Sequence, residues 1–192
     1  LGKGVIRTPA DDAIGYIKKT MSGDVMNIKK IRVDKEGAGM GWGAVYAQYL
    51  ESMDQISGQG NGLSVSRQLY KGDEALNESA PLKVGDKITV RLTVKADRDM
   101  DFVQIKDDRA ACMEPLQAVS GFRWSNGLGY YQATKDASTQ FFIDQMRKGT
   151  YVIEYQVYVN RTGEYQAGIA TVQSAYAPEF GGHTGGYRVM VE

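Results

Sequence analysis

The chain has 192 residues, 42% apolar and 24% charged, and lysine plus arginine balance aspartate plus glutamate at 23 each. That length holds one large domain or two small ones, and a neutral chain without a run of like charge argues against nucleic acid and against a polybasic membrane patch. Twelve tyrosines and 23 glycines against 4 prolines favour strands and tight turns, and no apolar run approaches the roughly 20 residues of a membrane helix.

Residues 1–62 form a first block. Val5-Ile6, Gly15–Thr20 and Ile28–Val33 read as short strands. The segment from Trp42 to Leu50 is apolar on both faces and predicts a buried central strand, with a helix as the other reading. Ser52–Gly62 is rich in Gly, Gln, Asn and Ser and predicts a flexible linker. About sixty residues with so few large apolar groups bury only a thin core, so this block is expected to lean on something else.

The second block, 63–192, begins with a strand at Leu63–Tyr70 and a polar loop to Ala80. From Lys87 to Lys95 the alternation is clean: Ile88, Val90, Leu92 and Val94 on one face, charged and threonine side chains on the other. Met100, Phe102, Gln104 and Lys106 alternate against Val103 and Ile105 in the next strand. Ala110–Ser120 is compatible with one helical turn, and Gly121–Lys135 with an aromatic loop or irregular hairpin. Gln140–Ile143 is a short apolar strand. Tyr151, Ile153, Tyr155, Val157 and Val159 then share one face of a long one. A turn at 161–164 leads to Tyr165, Ile169 and Val172, which predicts an antiparallel hairpin with the long strand. Tyr187–Glu192 closes the chain as a last strand. The succession is β throughout, and it predicts an all-β, antiparallel β-sandwich with Greek-key connections.

Few residues here carry chemistry. Asp97, Asp99 and Asp101 have the spacing that opens a calcium loop. The sixth position is Phe102 where that loop needs Gly, and the twelfth is Asp108 where it needs Glu. The lone cysteine, Cys112, excludes a disulfide within the chain and fits a reducing compartment or an exported protein alike. In the run CMEP at 112–115, proline stands where an internal thioester of C-x-E-Q type needs the glutamine that supplies its acyl group, so no thioester can form there. His183 is the only histidine, and one His with one Cys is too few soft ligands for zinc. No catalytic residue, metal ligand or cofactor site is therefore assigned. Phe122, Trp124, Tyr130 and Tyr131 make the most aromatic stretch. Such rings either roof a core or anchor a partner or a sugar.

Several short runs resemble one family. GFRWSNGLGYY at 121–131, KDAST at 135–139, Phe141-Phe142, KGTY at 148–151 and YAPEF at 176–180 are similar to the C-terminal macroglobulin-like domain of bacterial alpha-2-macroglobulin family proteins. WGAVY at 42–46 with YLE at 49–51 resembles the segment that completes the CUB-type β domain after the thioester domain. The resemblance implies a non-catalytic region of a large protease-trapping inhibitor, with residues 1–62 a CUB-type remnant and 63–192 the terminal sandwich. It implies partners within the parent protein, the thioester domain above all, target proteases reached through that parent, and a location in the bacterial cell envelope, periplasmic or anchored. The chain opens on Leu1 and is expected to be a piece of something longer. Phe122, Trp124, Tyr130 and Tyr131, together with Tyr176, Pro178, Phe180 and His183, are the expected interaction surface. A carbohydrate-binding or adhesion sandwich using the same aromatic loop is the alternative.

Overall fold

The computed structural model describes residues 18, 20–21, 30–34, 37–46, 48, 50–77 and 80–192. The chain divides into two compact units, Leu1–Leu50 and Glu51–Glu192. Of the strands expected in the first, Val5-Ile6 and most of Gly15–Thr20 lie outside the described residues. Residues 30–34 and 41–46 take no regular secondary structure. Trp42, Tyr46 and Leu50 are almost wholly exposed, so the expected buried strand at 42–50 is not formed among the described residues. A strand apolar on both faces needs a layer on each side, and none of the described residues of its own unit supplies one.

Among the described residues the second unit carries fourteen strands. In chain order they are β1 (Gln59–Asn61), β2 (Leu63–Lys71), β3 (Glu74–Ala75), β4 (Lys87–Ala96), β5 (Met100–Asp108), β6 (Met113–Pro115) and β7 (Gly121–Ser125). There follow β8 (Leu128–Thr134), β9 (Ser138–Met146), β10 (Gly149–Val159), β11 (Gly163–Ala167), β12 (Ala170–Ser174), β13 (Gly181–His183) and β14 (Tyr187–Val191). One layer runs β6-β10-β4-β2, with β3 on the end of β2, and the other runs β12-β5-β9-β8-β7. The short strands β1 and β13 join the layers at one side through hydrogen bonds, and β11 pairs with β14 in a small separate sheet. Among the described residues every pairing between these strands is antiparallel, and the sandwich expected from the alternation is what forms.

The alternation determines which side chains fill the space between layers. Ile88, Val90, Leu92 and Val94 of β4 and Ile153, Tyr155, Val157 and Val159 of β10 are buried. They face Val103, Ile105, Phe141, Ile143 and Val172 from the other layer. Burying each such side chain stabilises by about 1.5–3 kcal/mol before chain entropy is counted.

Four local expectations are revised. The Gly-rich segment before Leu63 is no free linker: Met53–Gln55 forms a 3-10 turn and β1 pairs with β13. The segment at 110–120 holds no helix, and its Met113–Pro115 pairs with β10. Strand β10 makes no hairpin with β11 or β12. Its two edges are taken by β4 and β6, so β11 pairs with β14 and β12 crosses to β5 in the opposite layer. Met100 is buried, not on the face of Phe102, because Phe102 adopts a left-handed backbone (φ +53°) and the alternation shifts there. Its partner β9 shifts with it, placing Met146 inside opposite Met100.

Candidate interaction surface

Strands β7 and β8 form a regular hairpin closed by Asn126-Gly127, both with positive φ (+51° and +77°). That is the two-residue turn whose twist matches antiparallel strands, and Asn-Gly is its strongest sequence signal. The Asn126 side chain donates to the Val152 carbonyl at 3.2 Å, tying the hairpin tip to β10 in the other layer. Phe122 and Trp124, two residues apart, share the outer face of this edge strand and are 81% and 77% exposed.

The pairing extends this into a row across three strands. Phe122 lies opposite Tyr131, and Tyr131 opposite Phe142. Phe122 meets Tyr131 edge to face, with ring centroids 5.1 Å apart. Trp124 lies across Gly129, where an added Cβ would come within 2.8 Å of the indole ring. Phe142 is also exposed, and period two from Gln140 to Asp144 places it there. Sequence reasoning counted Phe142 only as part of an apolar strand. The outer sheet face at this edge therefore presents four aromatic rings on a regular backbone.

One residue along each strand, the picture reverses. Tyr130 is buried against Phe141 (5.6 Å), which in turn meets Tyr155 (5.9 Å). Tyr130 belongs to the core, and burial raises the pKa of its hydroxyl. The Tyr155 hydroxyl donates to Asp107 Oδ2 at 2.7 Å. The Arg67 guanidinium donates to the other Asp107 oxygen and, at 2.5 Å, to the Gly168 carbonyl, and it stacks over Tyr187 at 4.6 Å. Both charged side chains are at least 95% buried, so this cluster pins β2 of one layer to β5 of the other. Burial works against the Arg67 charge, yet Asp107 and Tyr187 outweigh it and hold the pKa above its ordinary value. Burial raises Asp107 as well, with Arg67 pulling the other way. Tyr187 is pushed up by burial to about 12.

The second expected cluster lies elsewhere. Tyr176 is 78% exposed and meets Phe102 edge to face at 5.1 Å. Pro178 is exposed. Phe180 is half-buried, held by Arg98 at 4.5 Å on one side and by Gly62 (φ +70°) on the other. His183 is half-buried within β13, its Nδ1 at 3.0 Å from the Thr184 carbonyl. This loop follows β12, at the opposite edge of the layer from β7. Four strand spacings make that separation roughly 19 Å. The fold thus divides the eight expected surface residues into an outward set at the hairpin, a separate Tyr176 set, and a core residue, Tyr130.

The other candidates have structural roles. Cys112 is fully buried, and burial raises its pKa, the opposite of an activated thiol. Asp97 pairs with the neighbouring Arg98, and Asp99 accepts the Lys148 amide at 2.7 Å, so both carboxylates brace the β4–β5 turn. Among the described residues no group of three or more His, Cys, Asp or Glu side chains is placed to hold a metal.

These features define an all-β sandwich whose distinguishing surface is an aromatic face. The family model of the bacterial alpha-2-macroglobulin MG10 domain matches residues 62–179, and the chain belongs to that family. It is similar in fold to a Salmonella alpha-2-macroglobulin mutant (20% identity, TM-score 0.59, covering 70% of this chain and 10% of that one). It is likewise similar to trypsin-activated alpha-2-macroglobulin from Escherichia coli (15% identity, TM-score 0.60, 71% and 11%). A protein of Dictyostelium discoideum, circularly permutated Ras protein 2, is 29% identical over 138 residues, which are 68% of this chain and 4% of that protein. The chain thus spans a small part of the length of each of these three proteins.

Proposed function

We propose that this chain is a non-catalytic part of an alpha-2-macroglobulin-like protease-trapping inhibitor, and that its MG10-type sandwich packs on neighbouring domains of the parent. Residues 1–62 are then the remnant of a CUB-type domain, and the parent works in the bacterial cell envelope. The observation that carries the reading is the exposure of Phe122 and Trp124 on an ordered hairpin braced against the core. Large rings held rigidly in water are the residues that dominate interfaces. The partner is the thioester-bearing domain, and target proteases are met through the parent. The test is association of the chain with the rest of its parent, measured beside its melting temperature. Replacing Phe122 and Trp124 by alanine weakens association by about 2 kcal/mol or more and leaves melting nearly unchanged. Unchanged association, or saturable glycan binding that Trp124→Ala abolishes, would overturn the proposal.

A further inference from the structure

A cavity of about 290 Å³ opens at the edge of the sandwich beside β10. Pro115 and Gln117 border it on one side and Glu154, Tyr155 and Gln156 on another, while Gln132 reaches it from β8 in the opposite layer. Gln132 follows Tyr131 on β8, so where that ring turns out this side chain turns in, and the residue is 5% exposed. Among the described residues its carboxamide has no hydrogen-bond partner, and the side-chain atom sealed from water without one is Arg109 Nε. The Gln132 amide therefore looks into the cavity it borders. A buried amide left unanswered weakens a fold, and each such group calls for an explanation.

The main chain adds a second unanswered pair of groups. On the edge of β10 away from β4, the Val152 carbonyl accepts from the Asn126 side chain and the Gln156 carbonyl from the Leu116 amide. By alternation the N–H and C=O of Glu154, midway between them, point the same way. Strand β6 pairs with Val157, Tyr158 and Val159 and stops short of Glu154. Among the described residues no main-chain group meets Glu154 on that edge. The rim is fixed: the Gln117 carbonyl accepts from the Thr134 hydroxyl at 3.2 Å, and its side-chain oxygen from Arg123 at 3.3 Å. The segments lining the cavity, 87–96, 113–132 and 149–159, lie wholly within the described residues.

Charge does not select the occupant. Glu154 is the one charged side chain in the lining, and it is paired with Arg91. The Tyr155 hydroxyl is engaged by Asp107. What remains is neutral and amide-like: a carboxamide that both donates and accepts, and one peptide N–H with its C=O. Two amides complement each other, because they pair head to tail through two N–H···O bonds. The volume stands near the lower end for ligand pockets and exceeds what the one or two waters able to satisfy Gln132 would fill. We propose that this cavity receives a glutamine or asparagine residue of an extended segment from another polypeptide. The incoming carboxamide pairs with that of Gln132, and the incoming main chain pairs with Glu154 on the β10 edge. Gln132 lies on the inner side of β8 and the aromatic face on the outer, so either proposal can fail without the other.

The probe is the tripeptide Ala-Gln-Ala, capped with acetyl and N-methylamide groups so that its one primary amide is the side chain. It is titrated into the whole chain, and the Gln132 side-chain NH2 signals and the Glu154 amide are followed by NMR. Both shift together along one saturable curve. Ala-Met-Ala and Ala-Glu-Ala with the same caps bind about tenfold more weakly or worse, and so does acetamide, which lacks the main chain. Gln132→Met, which keeps the length and removes the amide, weakens the glutamine peptide by a similar factor and melts no lower than the unaltered chain. No binding of the glutamine peptide, the cavity then holding water only, would overturn the proposal. So would equal binding of the methionine peptide or of acetamide, or a Gln132→Met chain that melts lower yet binds as before.

Discussion

Two pairs of neighbouring rings carry the comparison that explains this molecule. Tyr130 and Tyr131 are consecutive on β8, and Phe141 and Phe142 are consecutive on β9. The first of each pair lies in the core, joined through Tyr155 to the buried Arg67–Asp107 clamp. The second lies on the outer face, in line with Phe122. The chemistry of the side chains is nearly the same, and only the pleat separates them. A ring turned inward holds the two layers together, while one turned outward contributes little to the fold and is available to a partner.

The sharpest way to break the comparison is on the inward side. Phe141→Ala opens a cavity between the layers and costs about 3–5 kcal/mol, read as a lower denaturant midpoint, while Phe142→Ala costs well under half of that. Should the two cost the same, the division into inner and outer rings is wrong. Asp107→Ala leaves Arg67 charged and unpaired in the core and costs about 3–5 kcal/mol. Replacing Arg67 and Asp107 together by Met and Leu recovers most of this, a result that chemical denaturation would show directly.

A pH experiment sharpens the inner side further. Tyr187 is held neutral in the fold, with a pKa raised to about 12 from an ordinary 10.0. Its contribution is complete below pH 10 and is lost as the pH rises through about 12. Tyr187→Phe therefore makes the chain more resistant to unfolding across that window and leaves its response to pH near neutrality unaltered. The smallest effect belongs to the outer face. Phe122→Ala and Trp124→Ala each shift stability by about 0.5 kcal/mol or less, and Gly129→Ala displaces the indole from its seat while the sheet remains. A large loss of melting temperature in any of these three would return the hairpin rings to the core.

Much of this arrangement was legible beforehand. Period-two alternation placed the inward faces of β4 and β10 correctly, and the Asn126-Gly127 pair announces a regular hairpin where the sequence reading left open a loop or irregular hairpin. It failed where the backbone departs from the pleat, as at Phe102, and where both faces of a segment are apolar, as at Trp42–Leu50. In that segment alternation carries no information about which side is covered, or whether either is. Phe142 escaped notice because it adjoins Phe141, and two adjacent apolar residues look like a single buried patch until they are assigned to opposite faces.

By itself, the sequence determined the all-β class, the faces of its longest strands, the absence of any disulfide within the chain and the lack of a thioester at Cys112. These are local properties, set by neighbours two residues apart or by the presence or absence of a chemical group. Only the tertiary structure decided which edges pair, that β11 deserts β10 for β14, and that Arg67 and Asp107, forty residues apart, close the core together. It alone also separated the Tyr176 loop from the hairpin rings. Strand partners are chosen by competition among all the edges a chain offers, and that competition has no signature in any short stretch of sequence.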